Sequence, residues 1–542
     1  MKTIVLFVVL SSLSIGSAIA APANANLPSV THYLIQLQLA PKEGTLEAIV
    51  TMTVTNTTAQ PVSDLSFLLY RLLEVQKVSD DKGSPINFEQ SIVRFEASNF
   101  QANQIKFHLS EPLAPRAARR VTINYRGSIF GYAEVMGYVN DRVSDKYSLI
   151  RPDALAYPML AEPTSESLRR AYGLDVPFTY DLAVTVPDGY IVACGGAQLK
   201  VSTKEGLTTF TFKSKVPTWR IDIAAAHFKL LRDQTKQLAL YVLPEDEKKA
   251  IEILNGAGRA VSLYSTMFGE LKDYQGYTVI EIPDGWGSQA SDYYFLQTAT
   301  AFKDLKRILE VYHEIAHSWN AKAKPELRQT RWFDEAFAMY FQALALREFE
   351  GEQSYRAEMD RDRDSFIKRV GRDKKNFEIP IAEYAKYDLG GNSYNKGAWS
   401  LYVLHQLVGE DQFRRIIRTF VSEFKDRPAD FKDFQQVAEG VSRRDLGKYF
   451  NEWIYGSASS QLMLDKISTP ICGCKIWSRE KGVEAVSEKS ITRQQSGRVR
   501  RTKTSRRNRA VSLRPTLATN LLCRRQEKRT MLESEAQIGN PG

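Results

Sequence analysis

The sequence predicts a multidomain α+β protein: an N-terminal antiparallel β-sandwich-like domain, then a mostly helical domain, then a basic tail. Three observations carry this reading. Between about residues 32 and 223, apolar and polar residues alternate in short runs (33–39, 46–54, 121–125, 182–186 and 207–212) rich in Thr, Val and Tyr. That period of two belongs to half-buried antiparallel strands. Beyond residue 298 the apolar period lengthens to 3.6, which places helices near 300–321, 332–349, 354–370, 393–408, 410–424, 430–438 and 443–455. The charge is also divided unevenly. Residues 461–542 hold 18 Lys and Arg against 7 Asp and Glu, leaving 55 and 56 for residues 1–460, so the body is neutral and the tail carries the basicity.

The whole chain, 542 residues with 43% apolar and 25% charged content, has the composition of a globular protein rather than of a collagen, a coiled coil or a disordered chain. Residues 1–20 pair Lys2 with an apolar run from Ile4 to Leu10 and close on Ala18-Ile19-Ala20, the pattern of a cleaved secretory signal. The apolar run is too short to span a bilayer, no later stretch approaches that length, and no cysteine follows the cut. The expectation is a secreted or periplasmic protein with no transmembrane segment in the mature chain. Four cysteines, with only Cys194 in the body, exclude an internal disulfide framework there. Cys472-Gly473-Cys474 lacks the further ligands of a zinc site.

The N-terminal β domain is expected over 21–230, with Glu205-Gly206 as a hairpin tip. The second domain, 231–460, opens with strands at 237–243 and 277–282 and a helix at 246–268 before the helical series begins. Residues 461–542 show arginine runs among Ser, Thr and Gln without an apolar period, and read as disordered or as out-of-frame sequence. No specific nucleic-acid partner is expected, and truncation near Ser460 is expected to leave the rest folded.

The chemistry concentrates at His313-Glu314-Ile315-Ala316-His317. On a helix the two histidines lie one turn apart, about 6 Å along the axis and about 40° in rotation, so both imidazoles leave one face. That separation suits two nitrogen ligands of one tetrahedral Zn²⁺. Glu314, about 100° round from His313, is placed to act on a water as general base. With 6 histidines in 542 residues the expected number of chance matches is on the order of 0.004. A catalytic zinc takes three protein ligands, and a second helix opening at Arg331-Trp332-Phe333-Asp334-Glu335-Ala336-Phe337 returns a candidate. Glu335 is the expected third ligand. Asp334 competes, but its shorter arm and different face fit a supporting partner or a helix N-terminal charge. His32, His108, His227 and His405 show no ligand spacing.

His313 to His317 followed by Trp332-Phe333-Asp334-Glu335-Ala336-Phe337 resembles the zinc signature of the membrane alanyl aminopeptidase family, the gluzincins related to leukotriene A4 hydrolase. The resemblance extends to Ser393-Tyr394-Asn395-Lys396-Gly397 and to Asn451-Glu452-Trp453, and covers roughly 30–456. It implies a thermolysin-like zinc peptidase domain over 231–460, one Zn²⁺ on His313, His317 and Glu335, Glu314 as base, and Tyr394 as the phenol that stabilises the oxyanion. Seventeen residues rather than the family's eighteen separate His317 from Glu335. Where the family's amine-binding glutamate is expected, Gly287-Ser288-Gln289-Ala290-Ser291 carries Ala290. The family's closing C-terminal helical domain is expected to be missing, since the basic tail begins where it would start. The resulting expectation is a zinc metallopeptidase acting on peptides, aminopeptidase-like without an assured amine site. The alternatives are a catalytically impaired zinc-bearing scaffold or an epoxide hydrolase of the leukotriene A4 hydrolase type. The strand at 278–282 and the Gly287 loop are expected to pair with the extended substrate.

Overall fold

The computed structural model describes residues 28–465 apart from 96–98, 165–166, 169–175, 272–273, 371–375, 377 and 426. The expected signal sequence and most of the basic tail, with Cys472, Cys474 and Cys523, lie outside the described residues.

The first half is β-rich. Strand Ser29–Ala40 runs antiparallel to Thr45–Thr55, with Ile35 opposite Val50, and parallel to Thr179–Pro187, with Ile35 opposite Leu182. These three sit inside a seven-stranded sheet. A four-stranded sheet built on Val62–Tyr70 and Gln101–Leu113 supplies the other side of the core. The alternation read from sequence is the alternation of burial: Tyr33, Ile35, Leu37 and Leu39 face inward with Val50, Met52, Phe67, Ile105 and Val184. Glu205 and Gly206 form the expected hairpin tip, joining Ala197–Lys204 to Leu207–Lys213 with φ of 52° and 77°. Two consecutive positive φ values match the right-handed strand twist, which explains glycine at the second position.

A five-stranded sheet follows, in the order Lys229–Asp233, Leu238–Val242, Tyr277–Ile282, Tyr294–Thr298, Gln289–Ser291. Helix Glu247–Phe268 makes the crossover between its parallel strands. Tyr277–Ile282 is therefore interior, with a strand on each side, and its backbone is not available to a peptide. The expectation that 278–282 pairs with substrate is corrected; the outer strand of this end is Gln289–Ser291, antiparallel to Tyr294–Thr298.

The remainder is helical, and the expected 300–321 helix is divided. Thr300–Lys303 stops at Asp304, whose extended backbone and side chain cap the next turn by accepting from the Lys306 amide. A 3-10 turn, Leu305–Arg307, then leads into helix Ile308–Ala316. Phe337–Glu350 packs against it, Lys396–Val408 against Phe337–Glu350 and Glu410–Phe424 against Lys396–Val408, in one core that includes Trp319, Trp332, Phe337, Phe341 and Phe420. Helix Ala458–Leu464 closes this core: Leu462 and Met463 are buried, and the buried Lys396 Nζ donates to Ser460 Oγ at 3.0 Å. The packed body thus runs past residue 460, and a cut near Ser460 passes through a helix that is part of it.

Two outcomes follow from that closure. A chain ended after Tyr455 loses the burial of Leu462 and Met463 and is expected to be less stable in urea by roughly 3 kcal/mol or more. A chain ended after Asp465 is expected to keep the full-length midpoint. If both unfold alike, the helix contributes nothing. Burial pushes the Lys396 ammonium down to about 7, whereas an unfolded lysine titrates near about 10.4. Between those values the unfolded chain binds the extra proton, so this group makes stability rise with pH from about 7 to about 10. Lys396→Met should flatten that part of the unfolding profile, measured as urea midpoint against pH.

Candidate metal centre

Helix Ile308–Ala316 carries His313 in its last turn and delivers His317 at the start of a following 3-10 turn, with ring centroids 4.8 Å apart and planes at 88°. Each ring is oriented from its Nδ1 side. His313 Nδ1 lies 3.1 Å from Gln342 Oε1, and Gln342 Nε2 in turn donates to Glu358 Oε1. His317 Nδ1 lies 2.7 Å from Asp334 Oδ1. Both Nε2 atoms therefore face Glu335, whose Oε2 is 3.1 Å from His313 Nε2 and 3.7 Å from His317 Nε2.

Glu335 reaches this position from a π-helical turn, Trp332–Ala336, that precedes helix Phe337–Glu350. Arg331, at a left-handed φ of 54°, starts the turn. The wide turn lets consecutive carboxylates serve one site, with Glu335 beside both histidines and Asp334 behind His317. Arg331 donates to Asp334 Oδ2 through Nε and one Nη and also contacts Glu335 Oε1. Tyr394 donates its hydroxyl to the same Oε1 at 2.5 Å. One oxygen of Glu335 is thus held and the other is left facing the imidazoles.

The Tyr394-Asn395-Lys396-Gly397 run divides its labour. Tyr394 faces the histidines, Lys396 points into the core, and Gly397 lets helix Lys396–Val408 approach the π turn. A Cβ at 397 would meet Ala336 Cβ at 2.6 Å and Trp332 Cδ1 at 3.0 Å. Any larger residue there would push on the turn that aims Glu335.

The electrostatics fit a divalent ion. Burial opposes the charged form of His317, but Asp334 and Glu335 outweigh it and raise its pKa to about 10. Burial and Asp334 oppose ionisation of Glu335, yet the two histidines lower its pKa overall. These acids attract positive charge to the point where three ligand atoms converge. His313, His317 and Glu335 each offer one atom, all within 4.8 Å of one another. A tetrahedron with bonds of about 2.0–2.1 Å has edges of about 3.4 Å, between the two histidine–glutamate separations given above. The chemistry of the donor set, two imidazoles and one carboxylate, is that of a catalytic zinc with an open fourth position.

Glu314 stands next to these ligands and lines a cavity of about 430 Å³ shared with Tyr138, Gly287 and Ser288. Burial raises its carboxyl above the ordinary range, and the neighbouring histidines offset this only in part. Burial and Glu335 raise the Tyr394 phenol too, so it stays protonated and able to donate.

The loop of this cavity is fixed from the β domain, by residues that sequence reasoning missed. Arg151, fully buried, pairs with Asp141 at 2.8 and 2.9 Å and donates to the Trp286 carbonyl at 2.8 Å. Arg220 pairs with Asp153 and Asp222 at 2.6 to 2.7 Å and contacts Gln289 Oε1, while Gln289 Nε2 donates to Asp153. Gln289 is thereby consumed structurally, and Ala290 offers only a methyl beside it. His405 is buried between Tyr340 and Glu410, and His108 and His32 pair with Asp64 and Asp181. His227 meets the Gly189 carbonyl. Among the described residues only His313, His317 and Glu335 form a cluster able to hold a metal.

Two histidines one turn apart, a glutamate returned by the next helical turn and a β-then-helical scaffold are the marks of the gluzincin class of zinc proteins. Residues 292–453 match the family model described as the Peptidase family M1 domain, and together with the relatives and solved structures below this supports a gluzincin of the alanyl aminopeptidase type. The chain is 22% identical over 275 residues to "Probable aminopeptidase 1" of Saccharolobus solfataricus, covering 46% of this chain and 34% of the relative. It is 22% identical over 301 residues to human "Glutamyl aminopeptidase", covering 51% of this chain and 31% of the relative. The chain therefore spans about a third of the length of these curated relatives. Its fold is similar to the crystal structure of an M1 zinc metallopeptidase from Deinococcus radiodurans, with a TM-score of 0.59, 18% identity and coverage of 80% of this chain and 95% of that one. The family's cofactor is one zinc ion, and the residues present fit it.

Metal retention tests the geometry. Glu335→Gln is expected to lose zinc on dialysis, because it removes a charged ligand and disturbs Arg331 and Tyr394 together. Asp334→Asn, which acts through His317, is expected to weaken retention by about 10–100-fold. The opposite ranking, by metal analysis after dialysis, would exchange the two roles.

Proposed function

We propose that this chain is a zinc-dependent metallopeptidase that hydrolyses peptide bonds in an extracytoplasmic compartment. The observation that carries the reading is Glu314, a carboxyl with a raised pKa that both lines the open cavity and adjoins the three-ligand cluster. A purely structural metal site has no use for a base in that place. Bound at His313, His317 and Glu335, zinc supplies Lewis acidity for a scissile carbonyl and for the attacking water.

The chain's own residues do the rest. Glu314 takes a proton from the water as its oxygen bonds to the carbonyl carbon, and delivers it to the leaving amine as the C–N bond breaks. Tyr394, protonated and 2.5 Å from Glu335 Oε1, swings its hydroxyl to the carbonyl oxygen as negative charge develops there. Arg331 continues to hold Glu335 when the phenol leaves. The loop at Gly287 and the edge strand Gln289–Ser291 offer backbone to an extended peptide, held in register by Arg151 and Arg220. Ala290 supplies no carboxylate for a substrate amine, so nothing at that position ties cleavage to the first peptide bond. Export rests on the signal-like residues 1–20; among the described residues no helix is long and apolar enough to cross a membrane.

Glu314→Gln is expected to keep zinc while turnover falls by about 10²–10⁴-fold, since an amide cannot accept the water's proton. Tyr394→Phe should lower kcat by about 10²-fold or more with little change in KM, because its hydroxyl acts on charge that exists only in the transition state. Steady-state kinetics on a quenched peptide, with zinc analysis of each variant, distinguishes this from loss of the metal; unchanged turnover in Glu314→Gln contradicts the mechanism.

A further inference from the structure

The cavity beside Glu314 is unusual in what it lacks. Apart from Tyr138, its side chains are Ser288, Thr298, Thr300, Arg307, Glu310 and Glu314, with glycine at 285 and 287, and no aliphatic side chain lines it. An apolar substrate residue placed there would desolvate charge without burying apolar surface in return. The cavity asks for a charged or polar group, and the hydrogen bonds decide the sign.

Every carboxylate oxygen at its outer end is already engaged. Glu310 Oε1 is held by Arg307, and Glu310 Oε2 accepts from Gln297 Nε2 at 3.1 Å. At the rim, Asp284 accepts from Thr300 at 2.5 Å and from Lys303 at 2.7 Å. The donors left over are on the cation. Among the described residues the Arg307 side chain meets only Glu310, through Nε at 2.7 Å and one Nη, and it is 46% exposed. A half-exposed pair three residues apart on a helix is weakly held, so the guanidinium can take a second carboxylate while Glu310 keeps it in place. Its planar fork suits two parallel hydrogen bonds to such a group.

Position along the helix sets the distance. Arg307 ends the 3-10 turn that runs into Ile308–Ala316, seven residues before Glu314. Seven residues are nearly two turns, about 10 Å along the axis and about 20° in rotation, so both side chains line the same trough. An extended peptide covers about 3.3–3.6 Å per residue, which puts the partner group within about three residues of the bond at Glu314.

Resting on the peptidase reading, we propose that Arg307, backed by Glu310, is a carboxylate-binding subsite that selects peptides carrying a negative charge within about three residues of the scissile bond. The carboxylate is either the substrate's free C-terminus or an Asp or Glu side chain; the chemistry of recognition is the same.

The test uses the full chain loaded with zinc. Binding is measured on the Glu314→Gln chain, which needs no turnover, and kcat/KM on the chain with Glu314 intact. Three peptides share one sequence: a C-terminal acid, its C-terminal amide, and an amide with one Asp two residues from the cleaved bond. The proposal expects at least one carboxylate peptide to bind about tenfold or more tightly than the plain amide. Arg307→Gln should erase that preference, Arg307→Lys should retain part of it, and all should keep the same thermal midpoint. Preference for the acid alone assigns the C-terminus, and preference for the Asp peptide assigns a side chain. Equal binding of all three, or a preference that survives Arg307→Gln, overturns the proposal. So does selective binding of a cationic peptide that Glu310→Gln abolishes. If carboxylate binding depends on Arg307 while no peptide is cleaved with Glu314 intact, the subsite stands and the peptidase reading falls.

Discussion

The divided use of one carboxylate governs the rest of this structure. Glu335 has two oxygens, and the site works only if one of them is occupied by the protein while the other faces the histidines. Arg331 and Tyr394 take Oε1, leaving Oε2 between His313 and His317. Those contacts require the π turn, the turn requires Arg331 in a left-handed conformation, and the close approach of Lys396–Val408 requires glycine at 397. A single ligand orientation thus draws on three segments distant in sequence, and the aromatic core of Trp332, Phe333 and Phe337 holds them in place.

The second constraint is the buried charge that joins the β-rich half to the cavity. Arg151, Asp141, Arg220 and Asp222 are almost entirely removed from solvent. Burying ions this deeply contributes little net stability, but removing one partner strands another, so the arrangement is steep against alternatives. Its hydrogen bonds end on the Trp286 carbonyl and on Gln289, in the loop and edge strand of the cavity. The network therefore fixes where that backbone lies relative to Glu314. The β half is part of the site's construction, although none of its side chains belongs to the metal cluster.

Much of this was legible in the sequence because local chemistry and periodicity agree there. The four-residue spacing of His313 and His317 implies a shared face whatever surrounds it, and Glu205-Gly206 needs only its own two φ values. Arm length favours Glu335 over Asp334 as the ligand, and Glu335 is the one whose carboxylate lies beside both Nε2 atoms. Other features have no local signature. Tyr294–Thr298 has a strand on each side and its first four residues are all buried, so it shows no alternation. Tyr277–Ile282 reads as an edge strand until both neighbours are known. Gln342 orients His313 from seven residues beyond Glu335, and nothing in its surroundings marks it. Arg151 and Arg220 meet the cavity only through the tertiary fold. Helix Ala458–Leu464 has no local signature either: Ser459 and Ser460 are small and polar yet buried, and Ser460 satisfies Lys396.

Hydrolysis directed by one metal at one donor set is tested most directly by a zinc titration of the stripped protein. With chelator-treated chain and a mixed peptide pool whose products are read by mass spectrometry, cleavage should be absent without metal, rise in proportion to added zinc, and level off at one equivalent per chain. Cleavage that persists in the stripped protein, or a pool left intact at full zinc occupancy, would contradict it.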